Sequence, residues 1–138
     1  FYESKKKYLI KIRDLDLHNN IIINDSYIEN KDVVNYFCAS DLVVQPYLSA
    51  TQSGVSMVAY NFNKPMLLTN VGGLSDYIKD QKHGYLVSPD AQSVASALFD
   101  FYHKNREKSF VSEIKLSKSM YSWDGFSKKI DDLYKSYV

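Results

Sequence analysis

Two short polar turns, each set between an apolar run and a helix-like segment, hold the residues best suited to grip a ligand. The first is Ala50-Thr51-Gln52-Ser53-Gly54, reached through Gln45 and Pro46. The second is Gly72-Gly73, reached through Thr69, Asn70 and Val71. The first N–H groups of a helix have no partner inside it and carry partial positive charge, which suits a phosphate oxygen. Gly54 lets a ligand approach the main chain closely. Ser53 can cap the helix or turn its hydroxyl to a phosphate, and Gln52 offers a donor and an acceptor to a sugar hydroxyl. Gly72 and Gly73 predict a tight strand-to-helix turn with exposed N–H groups. Taken alone, each turn is equally what an ordinary N-cap or a positive-φ turn requires. Together, at the same end of a parallel sheet, they suit a nucleotide or a nucleotide-sugar.

That shared placement follows from the order of the elements. Tyr2 to Leu15 is predicted as a helix, with Tyr8, Leu9 and Ile12 on one face and lysines on the other. Ile21-Ile22-Ile23 is β-branched and predicts a buried strand. Asn30 is placed to cap a helix through Val33, Val34 and Phe37, with Asp32 in its first turn. Asp41 to Val44 predicts the next strand, stopped by Pro46. A helix from Ser53 to Asn63 follows, with Val55, Val58, Ala59 and Phe62 on one face. Pro65 opens a strand, Met66-Leu67-Leu68, and Leu74 to Lys79 predicts a short helix. Gly84 to Val87 reads as another strand, closed by Pro89. Asp90 then caps a helix that turns Val94, Ala97, Leu98 and Phe101 inward. From Glu107 to the end, residues 107–138, only helices are expected. One carries Phe110, Ile114 and Leu116. After a break at Ser122-Trp123, the other carries Phe126, Ile130, Leu133 and Tyr134. Strands alternating with helices mean a three-layer α/β fold with a parallel sheet, here with extra C-terminal helices. Those helices are expected to pack outside the sheet or to cross to a neighbouring domain.

The bulk numbers bound the partners. A chain of 138 residues, 45% hydrophobic, suits one domain with a real core. Seventeen basic and sixteen acidic residues give a net charge of +1, which argues against nucleic acid held by bulk charge. Lysines crowd both ends of the chain. They fit solvated helix faces, or a basic surface making peripheral contact with an anionic membrane. The single cysteine, Cys38, excludes an internal disulfide, fits a reducing compartment and is expected as a small core residue. No run approaches the ~20 apolar residues of a spanning helix, and no signal-peptide pattern opens the sequence. Phe1 and a helix stand where a sheet domain of this kind would begin with a strand, so the expectation is a piece of a longer protein.

Other chemistries lack their residues. His18, His83 and His103 have no ligand-spaced partners, so no metal site is expected. No carboxylate pair, nucleophile elbow or Walker pattern is present. Gly72-Gly73 is not a Gly-x-Gly-x-x-Gly fingerprint. Most of the twelve tyrosines suit half-buried rims. Tyr27 and Ile28, in the turn after the first predicted strand, are the exception, placed to receive a flat base.

The ordered motifs resemble a known family. They are Tyr36-Phe37 before Asp41-Leu42-Val43-Val44-Gln45-Pro46, then Ala50 to Gly54, Asn63-Lys64-Pro65, Thr69 to Leu74, and His83-Gly84-Tyr85-Leu86-Val87. With Tyr121-Ser122-Trp123 and Leu133-Tyr134 near the end, the chain resembles the donor-binding, C-terminal lobe of group-1 GT-B glycosyltransferases. The resemblance implies a Rossmann-like lobe, residues 1–138, that lacks its first strand-helix unit. It implies a nucleotide-sugar donor, UDP- or GDP-linked first, and no further cofactor. It implies an acceptor glycan or lipid-linked sugar, such as a polysaccharide or lipopolysaccharide intermediate, held by an N-terminal lobe outside this chain. The reaction expected is retaining sugar transfer in the cytoplasm, at the inner membrane face. Relatives use a Pro-x-x-x-Glu turn and a second Glu eight positions later on sugar and ribose. Counted from Pro46, those positions hold Ala50 and Val58. The donor-contact role therefore carries over only to Thr51, Gln52, Ser53 and Gly54, with Gly72 and Gly73 facing them. Tyr27 and Ile28 occupy the turn where relatives hold the base. No Arg and Lys pair for the diphosphate matches upstream of Tyr27, so the isolated chain is expected to be inactive. A non-catalytic nucleotide-sugar or partner-binding module of the same fold is the alternative. A sugar-nucleotide 2-epimerase would share the architecture, but its acidic and histidine-rich cleft signature is not visible. A receiver-type signalling domain would need its acceptor Asp at the other end of the strand from Asp41.

Overall fold

A computed structural model describes residues 4–118 and 123–137. The chain divides into two compact units, Phe1–Lys31 and Asp32–Val138.

The first unit is built around helix α1 (Lys5–Asp14). The predicted start at Tyr2 lies outside the described residues. The chain turns back after Leu15, with the Leu17 N–H on Ile12 O and the Ile21 N–H on Leu17 O. Lys5 pairs with Asp25 at 2.7 Å. Tyr8, Ile12, Leu15, Leu17, Ile21 and Ile23 line an apolar groove of about 490 Å³. Ile21-Ile22-Ile23 is not the buried strand expected: the run is irregular, and Ile22 is 97% exposed. The physical reason is that a strand needs a neighbour to fill its main-chain donors and acceptors, and there is no other among the described residues of this unit.

The second unit is a parallel three-stranded sheet in the order β1 (Val43–Gln45), β2 (Met66–Thr69), β3 (Gly84–Val87). Helix α2 (Asn30–Ala39) precedes β1, and α3 (Gly54–Asn61) joins β1 to β2. A short 3-10 helix, Gly72–Asp76, follows β2, starting and ending earlier than the short helix predicted over Leu74 to Lys79. Helices α4 (Ala91–His103), α5 (Glu107–Lys118) and α6 (Trp123–Lys135) close the chain. Tyr121 and Ser122, part of the expected break and tail motif, lie outside the described residues.

Every residue of β2 is buried, as befits a central strand covered on both faces. Its alternation divides the core. Met66 and Leu68 pack with Ala59 and Tyr60 of α3, Leu74, Ile78 and Ile114 of α5. Leu67 packs on the other face with Tyr85, Ala97 and Phe101 of α4, and Phe110 of α5. The inward stripe of α4 is as its spacing predicts, and Asp90 caps it by accepting from the Ser93 N–H at 2.8 Å. Cys38 and Leu116 differ from expectation. Cys38 is exposed, because Phe37 takes the inward place on α2 and stacks on Phe62 at 5.4 Å. Leu116 is 70% exposed, although Phe110 and Ile114 of the same helix are buried. On α6, Phe126, Ile130, Leu133 and Tyr134 are all at least half exposed. No helix among the described residues is long and apolar enough to cross a membrane.

Candidate functional site

Because the strands are parallel, Gln45 and Thr69 end β1 and β2 on the same side of the sheet, and both turns open there. The turns are in direct contact. Gly73 donates its N–H to Thr51 O at 3.2 Å. Gly72 has φ +53, and a Cβ added to it would lie 1.6 Å from Ala50 O. The Thr69 hydroxyl donates to Tyr47 O at 2.6 Å, tying the β1–α3 loop to the end of β2. The Tyr77 hydroxyl accepts the Ser53 N–H at 3.2 Å. Four contacts from the β2 side therefore hold the loop that leads into α3.

Inside the loop lies a neutral polar cluster. Ser53 is the N-cap of α3 and its Oγ accepts the Ser56 N–H at 3.3 Å. The same hydroxyl donates to Gln45 Oε1 at 2.5 Å, and Gln45 Nε2 donates to Ser56 Oγ at 3.0 Å. All three side chains are buried. This cluster rotates α3 from its predicted face: Ser56, Ala59 and Tyr60 turn inward, while Val55 is 44% exposed. A polar residue bonded to the strand end outweighs the local apolar periodicity.

The predicted site residues separate into groups. Thr51, Gln52 and Gly54 are exposed at the mouth of the loop. Ser53 is buried, with its hydroxyl engaged within the fold on both donor and acceptor sides. Of the glycine pair, Gly72 is exposed, but the Gly73 N–H is taken by Thr51 O. Tyr27 and Ile28 belong to the first unit, where Tyr27 is 85% exposed and Ile28 half-buried. Of the two positions without the expected carboxylates, Ala50 is half-buried against the core and Val58 half-buried on α3.

In the first turn of α3, the cap takes the Ser56 N–H and Tyr77 takes that of Ser53. The N–H groups of Gly54 and Val55 have no partner among the described residues, and the positive end of the helix lies behind them. A Cβ on Gly54 would meet nothing within 4 Å. Sequence reasoning missed Gln45, Thr69 and Tyr77. The available signal was a polar residue closing each apolar strand run, Val43-Val44-Gln45 and Met66-Leu67-Leu68-Thr69.

Parallel strands, helices on both faces and paired turns at the strand ends define a Rossmann-like lobe of the GT-B kind. Residues 3–104 match the family model of group 1 glycosyl transferases, and the chain belongs to that family. It is 27% identical over 108 residues to the D-inositol 3-phosphate glycosyltransferase of Corynebacterium urealyticum, covering 77% of this chain and 26% of that protein. It is 38% identical over 72 residues to the enzyme of the same name from Paenarthrobacter aurescens, covering 51% of this chain and 18% of that one. The chain thus spans about a quarter or less of the length of these relatives. Among solved structures, sucrose-phosphate synthase from Thermosynechococcus elongatus superposes with a TM-score of 0.76. That match covers 96% of this chain and 34% of that one at 18% identity, a likeness of fold.

Proposed function

We propose that this chain is the donor-binding, C-terminal lobe of a retaining glycosyltransferase. The intact enzyme would move a sugar from a nucleoside diphosphate to a glycan or lipid-linked acceptor. The observation that carries this is the bare first turn of α3. Gly54 and Val55 present N–H groups with no partner among the described residues, beside exposed Thr51 and Gln52, and a Cβ at position 54 would meet open space. The diphosphate sits against these N–H groups, whose partial charge stabilises the leaving nucleotide as the glycosidic bond breaks. Thr51 and Gln52 reach sugar hydroxyls. Gly72 and Gly73 form the opposite wall. The acceptor comes from a lobe outside this chain, and closure of the two lobes excludes water and aligns the acceptor hydroxyl with the anomeric carbon. The isolated chain lacks the cations that relatives place on the diphosphate and is inactive alone. Lipid-linked acceptors put the enzyme in the cytoplasm, in peripheral contact with the inner membrane face.

A second reading, a lobe that binds without catalysis, is favoured by Ala50 and Val58 standing where the family resemblance implies carboxylates. Ligand-observed NMR of the full-length protein against UDP-, GDP-, ADP- and CMP-sugars tests the first reading. Saturation transfer to one donor, lost in Gly54→Val, is the expected result. A folded protein that binds none of them removes the donor-site reading. Binding without turnover for any acceptor selects the second.

A further inference from the structure

Gln45 is a polar side chain, 2% exposed, at the end of an otherwise apolar strand. Its carboxamide is committed on both atoms, Oε1 to the Ser53 hydroxyl and Nε2 to that of Ser56. Ser53 caps α3 and Ser56 lies within its first turn, so one buried amide grips the turn at both ends. An apolar residue of similar size would fill the space with no polar group to desolvate. A buried polar triad fixes geometry, because each member loses its partners if the helix origin shifts. Gly54 and Val55 lie between the two gripped serines, and theirs are the N–H groups left unbonded.

We infer that Gln45 is a positioning residue of the donor turn, setting through Ser53 and Ser56 where the Gly54 and Val55 N–H groups meet a diphosphate. The inference rests on the donor-site reading above and deepens it. Gln45 touches no ligand. It acts through the two serines, and Tyr77 steadies the same cap from the other side through the Ser53 N–H.

The test uses the full-length protein, with UDP, GDP and ADP as probes by titration calorimetry and thermal unfolding recorded alongside. Gln45→Leu leaves both serine hydroxyls without their buried partner, and the dissociation constant for the preferred diphosphate is expected to rise about tenfold or more. In Gln45→Glu the neutral carboxyl can accept from the Ser53 hydroxyl and donate to that of Ser56, as the amide does, whereas the carboxylate only accepts and cannot replace the amide's donor. Burial raises the pKa of that carboxyl, and near about pH 5.5 its neutral form stands in for the amide. There Gln45→Glu is expected to bind within about threefold of wild type, and to weaken relative to wild type as pH rises towards about 8. This rescue is the readout that a purely structural role would not move. A folded Gln45→Leu protein with unchanged affinity, while Gly54→Val loses binding, overturns the positioning role and leaves the donor site standing. If Gln45→Leu does not fold, Gln45→Glu decides: affinity that tracks wild type at every pH overturns the inference. Wild-type protein that binds none of the three diphosphates overturns the donor-site reading itself.

Discussion

Gly54 and Gly72 both stand where the chain enters a helix after a strand, yet the fold uses them for opposite reasons. A Cβ on Gly54 would meet open space. A Cβ on Gly72 would run into Ala50 O, one on Gly73 would lie 2.5 Å from Thr51 O, and one on Gly84 would lie 1.8 Å from Met66 O. The last three are glycines because backbone packs on backbone. Gly54 is the exception, leaving a helix N-terminus bare where nothing in the fold requires it. A glycine-rich strand end is therefore not one functional unit. Gly72 and Gly73 build the wall that fixes the loop, and Gly54 leaves a surface that a ligand can reach.

The hardest break of this comparison is Gly72→Ala. It combines a positive φ with a collision against main chain, which has no rotamer through which to retreat. The expected loss is about 3 kcal/mol or more of folding stability, read as a shifted urea midpoint. The matching change, Gly54→Ala, is expected to alter stability by less than about 0.5 kcal/mol. Equal losses at the two glycines would end the contrast. Gly54→Val sharpens it from the functional side: a folded protein whose donor affinity falls about tenfold or more, as a branched side chain covers the first-turn N–H groups.

A helix start outside the candidate site gives the control. Asp90 caps α4 with Oδ1 on the Ser93 N–H and Oδ2 on the Ser93 hydroxyl. Asp90→Ala is expected to lower the melting temperature by roughly 4 °C. Donor affinity should not change, because the Asp90 side chain bonds Ser93 and, among the described residues, makes no bond to the paired turns. A loss of donor binding here would show that affinity follows global stability, and would remove the special status of Gly54.

What the sequence made legible was whatever is decided locally. Met66 to Leu68 is an apolar run long enough for a central strand, Asp90 stands before an apolar stripe at helical spacing, and Gly84 to Val87 falls between turn residues. Each of those elements appears as expected. What stayed hidden depends on partners distant in sequence. The Ile21–Ile23 run has strand chemistry but no neighbouring strand among the described residues of its unit. The inward face of α3 is set by a bond from Ser56 to Gln45, eleven positions away, which outweighs the pattern of Val55 and Val58. The Gly72-Gly73 pair announces a tight turn, but not that the Gly73 N–H is taken by Thr51. Turn chemistry thus put both turns at one end of the sheet, where they stand, while the division of labour among the turn residues came from contacts between the two loops.

The smallest expected effect comes from the third packed glycine and its neighbour. His83 precedes Gly84 at the entry to β3 and is 1% exposed. Its Nδ1 faces the Lys79 N–H at 3.4 Å, its Nε2 lies 2.9 Å from Ser117 Oγ, and the Tyr60 ring meets it edge-on at 5.8 Å. A neutral ring with its proton on Nε2 satisfies both contacts. A charged ring would turn an N–H against the Lys79 N–H. Burial holds the His83 pKa below its ordinary 6.5, Lys79 and Lys82 push the same way, and Glu113 opposes them. Below pH 6.5 the unfolded chain takes up a proton that the folded ring resists. Stability from this residue is therefore fully present above that pH and is lost as pH falls towards the folded pKa. Urea midpoints measured between about pH 7 and 5 should fall more steeply for wild type than for His83→Gln, which has no ring to titrate. Parallel profiles for the two proteins would mean that His83 takes up its proton as readily in the folded chain as in the unfolded one, and that the Gly84 turn packs without regard to its charge.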